Sequence, residues 1–242
     1  MSDRPLDYAS FEVLTFDCYG TLIDWEAGLV AALRAALGAP AEPMPDEELL
    51  ERYGRHEAAA EAGPYRRYRE ILGDGMRGVA AELGLDASSV SEGAAQRFGA
   101  SVVDWPPFPD SAAALERLAG RYRLGVLTNC DDDLFAASNR RLGTAFDWIV
   151  TAQQVGAYKP SEPHFQRLFE LLEADGIGQD RVLHVAQSLY HDHVPAQRLG
   201  LRTVWIDRRH GRPGSGATPP SGARPDATFP SMQAFADAAL DG

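Results

Sequence analysis

Only two cysteines, Cys18 and Cys130, occur in 242 residues. Two in so long a chain do not make a disulfide framework. No run approaches the roughly 20 apolar residues that span a membrane. The start, MSDRPLDYAS, is polar and has no apolar signal core. Basic residues are scarce, with 23 Lys plus Arg against 35 Asp plus Glu, so the net charge is -12. That deficit excludes an ordinary nucleic-acid binder, which needs basic surface for phosphates. It also means that any anion pocket must be locally positive. Internal repeats are absent. The expectation is a cytoplasmic protein with reduced thiols, acting on neither nucleic acid nor membrane. The length fits one large domain, or one domain with an insert.

The first strand signal is FEVLTFD, Phe11 to Asp17, ending in a turn with Gly20. A helix follows from Asp24, with Leu29, Val30, Leu33 and Leu37 at helical spacing, and stops at Gly38 to Pro40. From Pro45 to Phe98 no strand pattern occurs. DEELLERYGRHEAAAEA, PYRRYREILGDGMRGVAAEL and SSVSEGAAQRF read as three helices, punctuated by Gly63-Pro64 and Gly84. After the linker WPPFPD the pattern alternates. The strands YRLGVLTN, FDWIVT, RVLHVAQ and LRTVWIDR are separated by helical stretches, and DATF and a last helix close the chain. Alternation of this kind predicts an α/β fold, a doubly wound parallel sheet with helices on both faces. The expected core is residues 1–24 and 106–242, with an all-helical insert over 25–105. Residues 209–225, rich in Gly, Pro and Ser, read as a long surface loop.

Chemistry-bearing residues gather at strand ends. Asp17 ends the first strand, in FDCYGTLID. Thr128 and Asn129 end VLTN. Lys159 follows a strand, in AYKPSEPHF. Gln187, Ser188 and Asp192 follow the next, in VAQSLYHDHVPA. Ligands bind at the carboxyl ends of strands in open α/β sheets. Each residue has a structural alternative as a helix cap or surface charge. Four coincidences in order along one sheet edge argue for a site.

That order resembles the haloacid dehalogenase superfamily, and within it the type II (S)-2-haloacid dehalogenases. The resemblance covers essentially the whole chain, and the helical insert is similar to the superfamily's cap domain. It implies a doubly wound core and an aspartate nucleophile, matched by Asp17. Phosphatases of the superfamily carry a second Asp two residues on, where this chain has Tyr19, and Gly-Asp where it has Ala186-Gln187. Neutral Gln is a poor substitute for a carboxylate at a hard cation. The implied reaction is therefore hydrolytic dehalogenation of a short 2-haloalkanoic acid to the 2-hydroxy acid, with no cofactor and no metal. Asp17 would form an ester, Lys159 would compensate charge, and Asp192 would position or deprotonate water. Tyr19, Thr128, Asn129 and Ser188 would bind substrate. The family's halide-holding cap arginine is matched to Arg55, with Arg52 as rival. Trp25 and Trp105 are candidate walls or core residues.

Some features depart from the dehalogenases. Phe165 stands where they carry Tyr, and Ala186-Gln187-Ser188 replaces their Ser-Ser-Asn. Two rival readings stay open: a phosphatase with an atypical magnesium site, and a non-catalytic member that binds a small anion or a protein. Gly73, Gly75 and Gly78 fit G-x-G-x-x-G but follow no strand, so a dinucleotide site is dismissed. His191 reads as a polar neighbour of the pocket rather than a metal ligand. Dimers are common in the family, so a homodimer is an open expectation.

Overall fold

The computed structural model describes residues 6–86, 90–212 and 216–241. The first five residues, the start of the SSVSEGAAQRF stretch and part of the Gly/Pro-rich loop lie outside them.

Six strands form one parallel sheet: β1 (Val13–Phe16), β2 (Arg123–Thr128), β3 (Trp148–Thr151), β4 (Val182–Ala186), β5 (Arg202–Ile206) and β6 (Ala227–Phe229), in the spatial order β3-β2-β1-β4-β5-β6. β1 is buried along its whole length because it lies between β2 and β4. The chain runs outward from β1 through β2 to β3, then returns to the other side of β1 for β4, β5 and β6. This reversal opens a crevice beyond the carboxyl ends of β1 and β4, where an open α/β sheet takes its ligand.

Four helices leave the core after β1: α1 (Trp25–Leu37), α2 (Asp46–Glu61), α3 (Tyr68–Glu82) and α4 (Glu92–Ala100). The Asp24 carboxylate caps α1 by accepting from Ala27 N at 3.1 Å. Three acids in the first turn of α2, Asp46, Glu47 and Glu48, complement its dipole. The glycines of the dismissed motif serve packing instead. A Cβ at Gly75 would lie 2.7 Å from the Tyr53 ring, and one at Gly78 2.3 Å from His56. Their absence of side chains lets α3 approach α2.

The chain re-enters the core beside its exit. Asp24 N donates to Pro106 O at 2.8 Å, and Phe108 N to Leu22 O at 3.0 Å. The remaining helices are α5 (Ser111–Ala119), α6 (Asp132–Leu142), α7 (Ala152–Val155), α8 (Pro163–Ala174), α9 (Val194–Arg198) and α10 (Met232–Asp241). A widened turn of π type, Leu189–His193, precedes α9. One apolar cluster runs from Leu29, Tyr53, Met76 and Phe98 of the insert to Phe16, Leu115 and Phe235 of the core. Trp105 is a core residue, packed edge-on to Tyr19 at 5.9 Å between ring centroids.

The 209–225 loop is irregular and lies largely at the surface over its described part, but one section of it is packed on the insert. Arg209 is ion-paired to Glu26 and Glu47, both at 2.5 Å. Gly216 N donates to Glu47 Oε1 at 3.0 Å. Ala217 is buried against α2, where a Cβ on Gly54 would meet the Ala217 carbonyl at 2.4 Å. Gly, Pro and Ser content predicts irregular backbone, and irregular backbone can still be packed.

Candidate active site

The strand-end residues converge on a cavity of about 50 Å³ between the sheet edge and the helical insert. Asp17 leaves β1 with its carboxylate buried. Its Oδ1 accepts from Lys159 Nζ at 2.9 Å, and its Oδ2 from Thr21 Oγ1 at 2.8 Å. Thr21 Oγ1 accepts in turn from Gln187 N at 2.9 Å. Lys159 sits in the loop between α7 and α8. Its other donations go to Leu127 O at 2.8 Å and Asp192 Oδ1 at 2.6 Å, so all three ammonium protons are used. Asp192, on the π-type turn after β4, also takes His184 Nε2 at 3.1 Å on the same Oδ1. Its Oδ2 is buried without a protein partner.

Burial sets the electrostatics. It opposes the Lys159 charge, but the carboxylates of Asp17 and Asp192 outweigh it and raise the lysine pKa. It also raises Asp17; Lys159 pulls back, Asp192 adds its repulsion, and the net direction is up. Asp192 feels the same burial, yet Lys159 and His184 hold it well below the ordinary carboxylate range. Lys159 is also the only lysine in the chain; the other basic side chains among the 23 are arginines. A compact ammonium fits between two carboxylates where a planar guanidinium does not.

The substrate candidates divide. Tyr19, Asn129 and Ser188 line the cavity. Asn129 is committed to the Lys159 backbone, accepting from its N at 2.7 Å and donating to its O at 3.0 Å. It therefore fixes the lysine loop. Ser188 Oγ accepts from His191 N at 2.9 Å, capping the π-type turn. The Tyr19 hydroxyl is turned away to Ser138 Oγ at 2.9 Å. Thr128 is buried beside the cavity rather than in its wall, and its hydroxyl has no protein partner. Trp25 is a wall residue.

Arg55 does not reach the cavity. Its side chain is 60% exposed and reaches Glu82 at 3.3 Å. Arg52 pairs with Glu48 at 2.6 Å and with Glu82 at 3.3 Å. At about 100° per residue, Arg55 is about 200° around α2 from the cavity-facing Glu57, and Arg52 about 140°. The insert offers two acids instead. Glu57 and Glu61, one turn apart, line the cavity together with Tyr68. Glu57 Oε1 accepts from Tyr53 Oη at 3.2 Å and Tyr68 Oη at 3.0 Å. Burial raises Glu57 to about 7. Burial and the Glu57 charge raise Glu61 further above the carboxylate range. His191, 4.0 Å from Glu61, is lowered by burial to about 4 and is neutral at pH 7. The sequence held one signal for Glu57. The buried seam of α2 runs Leu49, Leu50, Tyr53, and one further turn lands on Glu57.

A magnesium site does not fit these residues. Lys159 occupies Oδ1 of both Asp17 and Asp192, and Gln187 brings no charge. Among the described residues no group of three His, Cys, Asp or Glu side chains is arranged to hold a metal ion. Also among them, no helix is long and apolar enough to cross a membrane.

The model of the haloacid dehalogenase-like hydrolases matches residues 11–188. A curated relative from Danio rerio, haloacid dehalogenase-like hydrolase domain-containing protein 3, is 28% identical over 111 residues, 45% of each chain. The match thus spans less than half the length of that relative. Among solved structures, the L-2-haloacid dehalogenase PA0810 is 24% identical with a TM-score of 0.75, covering 94% of this chain and 99% of that one. The L-2-haloacid dehalogenase from Xanthobacter autotrophicus is 19% identical with a TM-score of 0.78, covering 96% and 99%. At these identities the two structures share the fold.

Proposed function

The chain belongs to the haloacid dehalogenase-like hydrolase family, and we propose that it hydrolyses the carbon–halogen bond of short 2-haloalkanoic acids through an ester on Asp17. The observation that carries this reading is the donor set around Asp17, one lysine and one hydroxyl, with neutral Gln187 at the sheet edge beside them. Attack of a carboxylate on a phosphate dianion at about 4 Å and an effective dielectric near 20 costs about 8 kcal/mol. A metal ordinarily offsets that cost. Lys159 alone offsets about half. A 2-haloacid carries one negative charge, and its reacting carbon is neutral.

In the first step a carboxylate oxygen of Asp17 attacks C2 opposite the halogen. The C–O bond forms, the carbon–halogen bond breaks with inversion, and halide leaves. In the second step water attacks the ester carbonyl carbon of Asp17. Asp192 Oδ2 takes one water proton as hydroxide adds, the acyl–oxygen bond breaks, Asp192 returns that proton to the leaving alkoxide, and the regenerated Asp17 carboxyl gives the second water proton to solvent. Lys159 stabilises the oxyanion that develops on Asp17. Burial raises both carboxyls of the insert, Glu57 and Glu61, which favours their neutral form beside an anionic substrate. The small cavity favours short acids.

The test is a single turnover with excess enzyme in ¹⁸O-water, with halide and phosphate release screened on the same sample. Label is expected in Asp17 and absent from the first product, and Asp17→Asn should remove nearly all halide release. Label appearing directly in the product means that water attacks C2, and the ester scheme fails.

A further inference from the structure

Behind the cavity a buried hydrogen-bonded chain ends on Asp192, and the two steps do not use its inner members, Thr15 and His184. Thr15 Oγ1 meets His184 Nδ1 at 2.9 Å, and His184 Nε2 meets Asp192 Oδ1 at 3.1 Å. Both Thr15 and His184 are fully buried, on the adjacent central strands β1 and β4. A strand interior flanked by Val182, Leu183 and Val185 is a costly place for an imidazole. Phe165 packs edge-on against the ring at 5.2 Å between centroids and holds its plane.

We propose that His184 is a positioning residue for hydrolysis of the Asp17 ester, pinning Asp192 so that its Oδ2 alone faces the attacking water. The inference rests on the dehalogenation reading. A carboxylate oxygen only accepts hydrogen bonds, so Nε2 carries the proton. In the neutral ring Nδ1 is then the acceptor for the Thr15 hydroxyl, which fixes that tautomer. Lys159 and His184 together saturate Oδ1 at 2.6 and 3.1 Å, while Oδ2 is left buried with no partner. Two donors from different directions also stop the carboxylate rotating about its last bond. With His184 gone, Lys159 alone holds Oδ1, and the two oxygens exchange places freely.

The role belongs to one step, which makes it separable from folding. Carbon–halogen cleavage uses Asp17, and ester hydrolysis uses Asp192. In His184→Leu, hydrolysis of the ester should slow about 10- to 100-fold, the scale of losing a hydrogen bond to a charged group. The ester then accumulates, so kcat and KM fall together while kcat/KM, set by halide release, stays near wild type. Intact-protein mass after mixing with 2-chloropropionate should show the covalent adduct. His184→Gln, which keeps a donor near the Nε2 position, should restore kcat. Thr15→Val frees the tautomer and should give the same split on a smaller scale, and it carries the test if the leucine variant does not fold. The inference is overturned if folded variants lose kcat/KM as much as kcat, or keep wild-type kcat with no adduct. Wild-type protein that releases no halide from any 2-haloacid overturns the dehalogenation reading instead.

Discussion

Glu57 offers a stability measurement with a calculable size. It is 7% exposed, and its pKa rises from 4.5 to about 7. Below pH 4.5 the acid is protonated in folded and unfolded chains alike, so full stability is present. Above that, the unfolded chain ionises while the buried carboxyl keeps its proton until about pH 7. Stability is therefore lost across this window and stays low above it. At roughly 1.4 kcal/mol per pKa unit the full loss is about 3 kcal/mol, most of which falls between pH 5 and 8. Glu57→Gln removes the titration, and its amide oxygen can still accept from Tyr53 and Tyr68. Urea unfolding of both proteins at the two pH values measures the effect. The glutamine variant should gain about 2–3 kcal/mol on wild type between pH 5 and 8, or about 5–10 °C in Tm for a chain of this size. Comparison of the pair cancels the titrating groups that do not feel Glu57; Glu61, raised in part by the Glu57 charge, moves with it. An unchanged difference between the proteins at the two pH values would refute the argument that burial keeps this acid protonated.

Arg55→Ala should leave kcat and KM for a 2-haloacid within about twofold and stability within about 1 kcal/mol, because exposed ion pairs contribute little. A large loss of halide release in that variant would mean that the face of α2 turned to the cavity is wrongly identified. Halide release should survive EDTA and gain nothing from added Mg²⁺, since Lys159 holds the oxygens a cation would need. Abolition by EDTA with recovery on Mg²⁺, and phosphate esters as better substrates, would favour a phosphatase.

Strands were the most legible part of the chain. VLT, WIVT, VLHVA and TVWI are mostly apolar or β-branched, and each lies in the parallel sheet. Their order along the sheet follows from alternation with helices. Site residues at strand ends were legible for the same reason, since the backbone direction alone delivers Asp17, Lys159 and Asp192 to one edge. Side chains on the insert were not. Arg55 and Glu57 are two residues apart in an Ala-rich helix, and polar composition does not tell a solvated face from one that closes a polar cavity. His184 was missed because a histidine inside VLHVA reads as one more core position. The count of lysines was available from the start. A chain that uses arginine at every other basic position and lysine at Lys159 alone marks that site as one needing a point charge.

The contact of Gly216 and Ala217 with α2 has a consequence for modularity. The insert is stitched to the core at a third place: it starts beside the covalent crossing, at Glu26, and reaches along α2 through Glu47 to Gly54. Excising residues 25–105, or grafting them onto another core, would leave Glu26 and Glu47 without Arg209 and bare the flat surface at Gly54. Thr218, the next residue of the same segment, forms part of the cavity wall. Trimming the β5–β6 connection would therefore reshape the cavity as well as loosen the anchorage, and its length is inherited with the cavity.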